Sequence, residues 1–239
     1  MRLLVYVIWI LCVFLPDVSL SQDEIVELDR WSDPEVVKPY FHRNIAKDED
    51  KYYLYDDWRT GDVFFKSGIV VRAYPIRYDL RYNLLEIDVN GEIFVQTISQ
   101  IDHFTLLDTK LDEVEEFCSC ENYRSENGGS IEGICQVHSM GKYSYFTNVY
   151  YVMMEPDYIQ AFDVGNKKMK PFIKKRLILC NKSIAYQKPP GKVSTFRIFG
   201  TDAKEASRFA EKNELNPRKH QDLKVIVEHL NTLQQAVSQ

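Results

Sequence analysis

Leu85-Glu86-Ile87-Asp88-Val89-Asn90-Gly91-Glu92-Ile93-Phe94-Val95 sets the fold class. Apolar residues alternate with Glu86 and Asp88 up to Val89, the period of a strand with one face turned inward. Asn90-Gly91 supplies two residues that tolerate positive φ, the strongest short-range hairpin signal, and Ile93-Phe94-Val95 returns as the partner strand. An antiparallel sheet is therefore expected around these residues.

Working outward, the same grammar covers Asp62 to Leu107. Val63-Phe64-Phe65 and Ile69-Val70-Val71 flank Lys66-Ser67-Gly68, a short turn with glycine where positive φ is needed. Tyr74, Ile76, Tyr78 and Leu80 fall on one face at period two, with Arg77, Asp79 and Arg81 on the other, so one face should be buried and one wet. Ile101 to Leu107 closes a meander. From Val114 to Tyr186 the pattern stays strand-rich but less regular, interrupted by the polar loop Ser125-Glu126-Asn127-Gly128-Gly129-Ser130. Tyr143 to Met154 is long, largely apolar on both faces and free of Gly and Pro, which suits a central strand covered on both sides. Phe172–Leu179 and Ile184–Tyr186 read as a hairpin about Asn181-Lys182.

Lys188-Pro189-Pro190-Gly191 breaks the strands, because proline has no ladder donor. Ser194 to Phe199 reads as one more short strand, and helices follow. Asp202-Ala203-Lys204-Glu205 looks like a capping box opening a helix to about Lys212, and Asn216-Pro217 looks like an N-cap with proline at the first helical position. Leu223, Ile226, Val227, Leu230 and Leu233 then recur at steps of three and four, one apolar stripe. The expected class is α+β: an antiparallel β-rich body of meander or roll-like sheets, with a C-terminal helical hairpin docked on it.

The N-terminal side reads differently. Met1-Arg2, an apolar run from Leu3 to Leu15 and the close Pro16-Asp17-Val18-Ser19-Leu20-Ser21 form a secretory signal peptide, cut before Gln22. The run is short for a bilayer span, and Cys12 is not set in a lipoprotein signal. Residues 22–60 read as a loosely ordered lead-in, with a short helical piece at Asp23–Leu28. The resulting division is 1–21 signal peptide, 22–60 lead-in, 61–199 β-rich body and 200–239 helical hairpin. No transmembrane segment is expected after cleavage.

The 239 residues are 45% hydrophobic, 27% charged and 13% aromatic, which excludes a disordered or low-complexity chain and favours β structure. Loss of Arg2 and Asp17 with the signal leaves the net charge of -5 unchanged, a poor basis for nucleic-acid binding. Basic residues nonetheless gather at Lys167, Lys168, Lys170, Lys174, Lys175 and Arg176, where they either face anionic lipid or polysaccharide or protect a solvated strand edge.

Cleavage leaves Cys118, Cys120, Cys135 and Cys180. An exported chain makes disulfides the first expectation. A bridge across one residue is excluded by strain, so two frameworks stay open, each tying Cys118 and Cys120 to Cys135 and Cys180. Structural zinc on Cys118, Cys120, Cys135 and His138, and buried free thiols, are the alternatives.

Asp56-Asp57-Trp58-Arg59-Thr60-Gly61 with Lys66-Ser67-Gly68, Tyr74-Pro75-Ile76-Arg77-Tyr78-Asp79, Pro156-Asp157-Tyr158, Phe162-Asp163-Val164-Gly165 and Asn213-Glu214-Leu215-Asn216-Pro217 carry a resemblance. Over about Tyr53 to Leu233 the chain is similar to uncharacterised signal-peptide-bearing envelope proteins of Gram-negative bacteria. The resemblance implies export and an envelope setting, and assigns no catalytic residue.

No G-x-S-x-G elbow, H-E-x-x-H pair, Walker loop or G-x-G-x-x-G fingerprint occurs, so no catalytic residue, metal or cofactor is assigned. His42, His103, His138, His220 and His229 are scattered, with His220 and His229 read as surface residues of the last helix. Asp48-Glu49-Asp50 and Asp56-Asp57 lack the order of a calcium loop. Cys135 with His138 has the residues for a thiol mechanism, but on a strand the two would point to opposite faces. Tyr143, Tyr145, Tyr150, Tyr151 and Tyr158 either fill the core or form an aromatic binding surface. The expected function is that of an exported noncatalytic binding or envelope-associated protein, with an envelope protein or glycan as partner. The alternative is a periplasmic hydrolase whose site is assembled from residues distant in sequence.

Overall fold

A computed structural model of the chain describes residues 25–29, 34–43, 52–108, 110–155, 169–188 and 191–237. Residues 1–21, read from sequence as a signal peptide, and Tyr158, Lys167 and Lys168 lie outside the described residues. The structure is β-rich: one large, mostly antiparallel sheet of 13 strands, with helices at the C-terminal end. The strands are β1 (Glu27–Asp29), β2 (His42–Arg43), β3 (Arg59–Phe65), β4 (Val70–Asp79), β5 (Leu84–Val89), β6 (Glu92–Thr97), β7 (Ile101–Asp108), β8 (Glu113–Ser119), β9 (Arg124–Ser125), β10 (Ile134–Ser139), β11 (Tyr143–Met154), β12 (Lys170–Asn181) and β13 (Ile184–Gln187). Their order is β2-β6-β5-β4-β3-β7-β8-β10-β11-β12-β13-β9, with β1 pairing β4 in parallel. The helices are α1 (Pro34–Val37), α2 (Lys192–Arg197), α3 (Ala203–Lys212) and α4 (His220–Val237).

Local chemistry fixes the register. Val89 and Glu92 lie opposite each other, while Asn90 at φ 56° and Gly91 at φ 86° both take the left-handed conformation that suits Asn and Gly. At Gly61 the need is space: a Cβ there would collide with the Thr105 carbonyl oxygen, so only glycine lets β3 and β7 approach at that point.

Three buried clusters hold the sheet. The first, under β3 to β8, contains the stacked rings of Tyr78, Phe104 and Phe117, with centroids 5.5 and 5.3 Å apart. The second places Tyr143, Tyr145 and Leu179 against Phe196, Phe199, Ala206, Ala210 and the apolar stripe of α4. The third gathers Cys118, Cys120, Cys135 and Cys180 with Phe146, Ile178 and Ala185. Asn231 ties α4 to β11, accepting from the Tyr143 N–H at 3.0 Å and donating to the Tyr143 carbonyl at 2.7 Å. It thereby satisfies backbone groups whose burial alone would be costly.

Several expectations change. The described part of the lead-in packs on the body: Glu27–Asp29 is strand rather than helix, and Leu28, Val37 and Phe41 are buried in the first cluster. The face of β4 and β5 expected to be wet holds Asp79 and Glu86, both fully buried. Arg77 explains Glu86: its guanidinium lies 2.9 Å from the carboxylate and is sandwiched by Tyr53 at 3.5 Å and Trp58 at 4.4 Å. Charge pairing and ring contact together make that burial tolerable. Ser194–Arg197 is helical, because Phe196 and Phe199 reach the second cluster at a step of three. Asp202 makes no cap bond to α3; its carboxylate accepts instead from Lys142 Nζ and the Tyr143 hydroxyl, each at 2.8 Å. Asn216 forms a turn ahead of α4, accepting from the Arg218 and Lys219 amides, so the helix begins at His220.

Candidate functional site

Cross-strand register assembles a row of unlike side chains that sequence spacing conceals. Phe64 of β3 is opposite His103 of β7, which is opposite Cys118 of β8; Cys118 is opposite Cys135 of β10, Cys135 opposite Asn148 of β11, and Asn148 opposite Arg176 of β12. Directly opposed residues project from the same face of a sheet. One face therefore presents a ring, an imidazole, a thiol, a disulfide sulfur, an amide and a guanidinium in sequence across six strands.

The contacts along the row are specific. His103 stacks on Phe64 at 4.0 Å, and its Nδ1 lies 2.9 Å from Asp102 Oδ2. Cys135 is bonded to Cys120, with Cα atoms 5.6 Å apart. Asn148 Nδ2 donates to Cys120 Sγ at 3.4 Å and to the Glu132 carbonyl at 2.8 Å, while its Oδ1 accepts from Arg176 Nε at 2.8 Å. The guanidinium in turn lies 4.8 Å from the Tyr150 ring.

Cys118 and Cys180 carry free, buried thiols. Burial pushes the Cys118 thiol up to about 12, with Glu116 and Asp102 adding to the rise. Burial does the same to Cys180, helped by Cys118. A cavity of about 260 Å³ opens over Cys118, lined by Asp102, His103, Glu116, Tyr123 and Met140 among others. At the other end of the row, a polar cleft of about 280 Å³ holds Arg176 beside Glu126, Ser130 and Gln187.

The bond between Cys120 and Cys135 is one link of the two disulfide frameworks, but its companion Cys118–Cys180 is not formed, so neither framework is complete; the bond also overturns the zinc reading, since it occupies two of the four ligands. His138 also turns away. It sits where the β10–β11 register shifts, with Nε2 2.7 Å from Thr147 Oγ1, on the face opposite Cys135. There it meets His220 edge-on at 4.3 Å, and His220 Nδ1 lies 2.9 Å from the Tyr145 hydroxyl. His220 is thus a half-buried docking residue, not a surface one. Burial, His220 and Lys224 hold the His138 imidazole down at about 4, and burial also lowers His220.

The four tyrosines of this group that are described, Tyr143, Tyr145, Tyr150 and Tyr151, do not form one platform. Tyr143 and Tyr145 are core residues, 1% and 0% exposed, because the first half of β11 is covered by α4 on one side and the cysteine cluster on the other. Tyr150 and Tyr151 are half-buried on opposite faces.

Exposure is found farther along the same two strands. The β10 pairing ends at Val149, and beyond it Tyr150–Met154 pairs with Lys170–Lys174 as a distal ribbon. Opposed residues put Tyr150, Val152 and Met154 on one face with Lys174, Phe172 and Lys170; the other face carries Tyr151, Met153, Pro171 and Ile173. Phe172 is 50% exposed, and Met153, Met154, Met169 and Ile173 are exposed with it, next to exposed Lys170, Lys174 and Lys175. The basic cluster read from sequence supplied half of this signal. The missing half was that Met153, Met154, Phe172 and Ile173 lie outside every buried cluster.

No helix among the described residues is long and apolar enough to cross a membrane. No protein-family model, no curated protein and no solved structure matches the chain.

Proposed function

We propose that this chain is an exported, noncatalytic binding protein of the bacterial envelope, and that its distal ribbon docks on an anionic membrane surface. The observation that carries the reading is the ribbon itself. Apolar side chains on both of its faces stand in water beside three lysines, on a protein whose net charge is -5. Apolar groups enter the headgroup boundary while nearby lysines meet lipid phosphates, the two-part recognition used by peripheral membrane segments. The leader at 1–21, the resemblance to signal-peptide-bearing envelope proteins and the Cys120–Cys135 bridge support export. In this reading β3 to β6 run as a meander, β7 returns beside β3, and the last two helices form a hairpin clamping the proximal half of β11 and β12, which leaves the distal half projecting.

The hydrolase alternative would turn to Cys118 beside His103. Burial and two carboxylates push that thiol up to about 12, the opposite of the depression an activated nucleophile needs.

Flotation with lipid vesicles tests the proposal. Protein lacking residues 1–21 is expected to float with vesicles containing phosphatidylglycerol and not with phosphatidylcholine alone. The triple variant Lys170→Glu, Lys174→Glu, Lys175→Glu loses this binding, each lysine being worth about 1 kcal/mol near an anionic surface. Phe172→Ser with Ile173→Ser weakens it further. Absence of flotation, or unchanged flotation of the variants, rejects the reading; competition by a soluble anionic polysaccharide in its place would make a glycan the partner.

A further inference from the structure

We infer that Cys118, Cys120 and Cys135 form a thiol–disulfide exchange site, in which the Cys118 sulfur opens the Cys120–Cys135 bridge and takes Cys135 as its own partner. Two sulfurs compete for Cys135. Cys120 holds it now, with Cα atoms 5.6 Å apart. Cys118 is the residue directly opposite Cys135 in the β8–β10 ladder, and opposed antiparallel positions have Cα separations of about 4.5 to 5.5 Å, inside the span a disulfide bridges. The exchange therefore needs a change of side-chain torsion, not a new strand register.

The step balances without an oxidant. The Cys118 Sγ–Cys135 Sγ bond forms as the Cys120 Sγ–Cys135 Sγ bond breaks, and the proton lost by Cys118 is taken up by Cys120. Leaving-group chemistry favours this direction of attack. Asn148 Nδ2 is already 3.4 Å from Cys120 Sγ and donates to it, so charge developing on the departing sulfur meets a fixed dipole. Arg176 holds that amide in place through Asn148 Oδ1. On the other side of Cys118 the cavity shared with His103 gives an external thiol a route to the same sulfur. Cys180 lies in the cysteine cluster but is opposite Ser144, so the ladder does not present it to Cys135. At rest the site is slow, because burial with Glu116 and Asp102 keeps Cys118 protonated.

Acid-quenched alkylation followed by peptide mass spectrometry of the oxidised, signal-free protein tests this. Starting from Cys120–Cys135, a second species carrying Cys118–Cys135 with alkylated Cys120 is expected to grow in. Its rate should rise about tenfold per pH unit while the attacking thiol stays below its pKa. Cys120→Ser provides the second measurement: under mild oxidation its Cys135 is expected to pair with Cys118. The proposal is overturned if wild type keeps Cys120–Cys135 alone at every pH and time, if Cys118 is bridged to Cys180 and so has no thiol to attack with, or if folded Cys120→Ser joins Cys135 to Cys180. These outcomes are read without any membrane, so they stand or fall apart from the ribbon's function.

Discussion

The part of the sheet from β3 to β8 and the part from β10 to β13 use polar groups for different ends. In the first, Glu86 and Arg77 are buried as a closed pair, capped by Tyr53 and Trp58, beside a stack of three rings. Asp79 follows the same logic less completely: one carboxylate oxygen accepts from the Arg81 amide at 2.8 Å and more weakly from those of Tyr52 and Tyr82, while the other has no hydrogen-bond partner among the described residues. Burial raises its pKa. In the second part, the Cys135 disulfide sulfur, the Asn148 amide and the Arg176 guanidinium continue across strands a row that starts with His103 and Cys118 at the border of the first, and beyond Tyr151 the ends of β11 and β12 leave the core. Packing closes the pairs inside the first region, whereas the row and the ribbon keep groups that still have chemistry available.

The largest expected effect tests the saturated region. Phe104 is fully buried and stacks between Tyr78 and Phe117. Phe104→Ala removes its transfer energy and leaves a cavity that two flanking rings cannot easily fill, a loss of about 3 to 5 kcal/mol in unfolding free energy. Urea denaturation measures it. A loss near 1 kcal/mol would mean that the stack collapses into the gap and the first region is not the stiffer one.

How much of this was legible depends on the range of the interaction. Period-two alternation and Asn90-Gly91 mark strands because side chains a few residues apart settle them. The boundaries of β11 follow from its uninterrupted apolar run, and the helices at 203–212 and 220–237 from local stripes and turns. Burial of Glu86 was hidden because its partner ring, Tyr53, is 33 residues away. The row from Phe64 to Arg176 was hidden for the same reason, being set by five separate strand registers. Ser194–Phe199 misled because a short apolar run fits either period, and the second cluster decides in favour of a helix.

A smaller effect concerns the contact between the second region and its helix. His138 faces Thr147, Tyr145, His220 and Lys224, with Lys188 near His220, so protonation would place positive charge among positive groups. The imidazole is held at about 4, below its ordinary 6.5. Its contribution is therefore fully present above pH 6.5 and is lost as pH falls from there to about 4. Solvent screening limits the sum to on the order of 1 to 2 kcal/mol. His138→Gln keeps a hydrogen-bonding group for Thr147 but cannot ionise. Its urea midpoint should therefore fall less steeply than that of wild type between pH 6.5 and pH 4. Equal slopes would show that α4 docking is insensitive to this imidazole.

The smallest expected effect is the one that separates folding from binding. Phe172 and Ile173 are large, apolar and on opposite faces of the distal ribbon, yet each is well exposed and outside the three buried clusters. Their replacement by serine creates no cavity and strands no buried polar group, so the urea midpoint should move by no more than about 0.5 kcal/mol. A core role would make the same change cost several times that, as with Phe104. If both substitutions together destabilise the fold appreciably, the ribbon is packed against part of its own chain, and the surface offered to a membrane is already taken. If stability holds while flotation is lost, these side chains are retained for contact with something outside the molecule, because neither sheet geometry nor burial requires a phenylalanine or an isoleucine there.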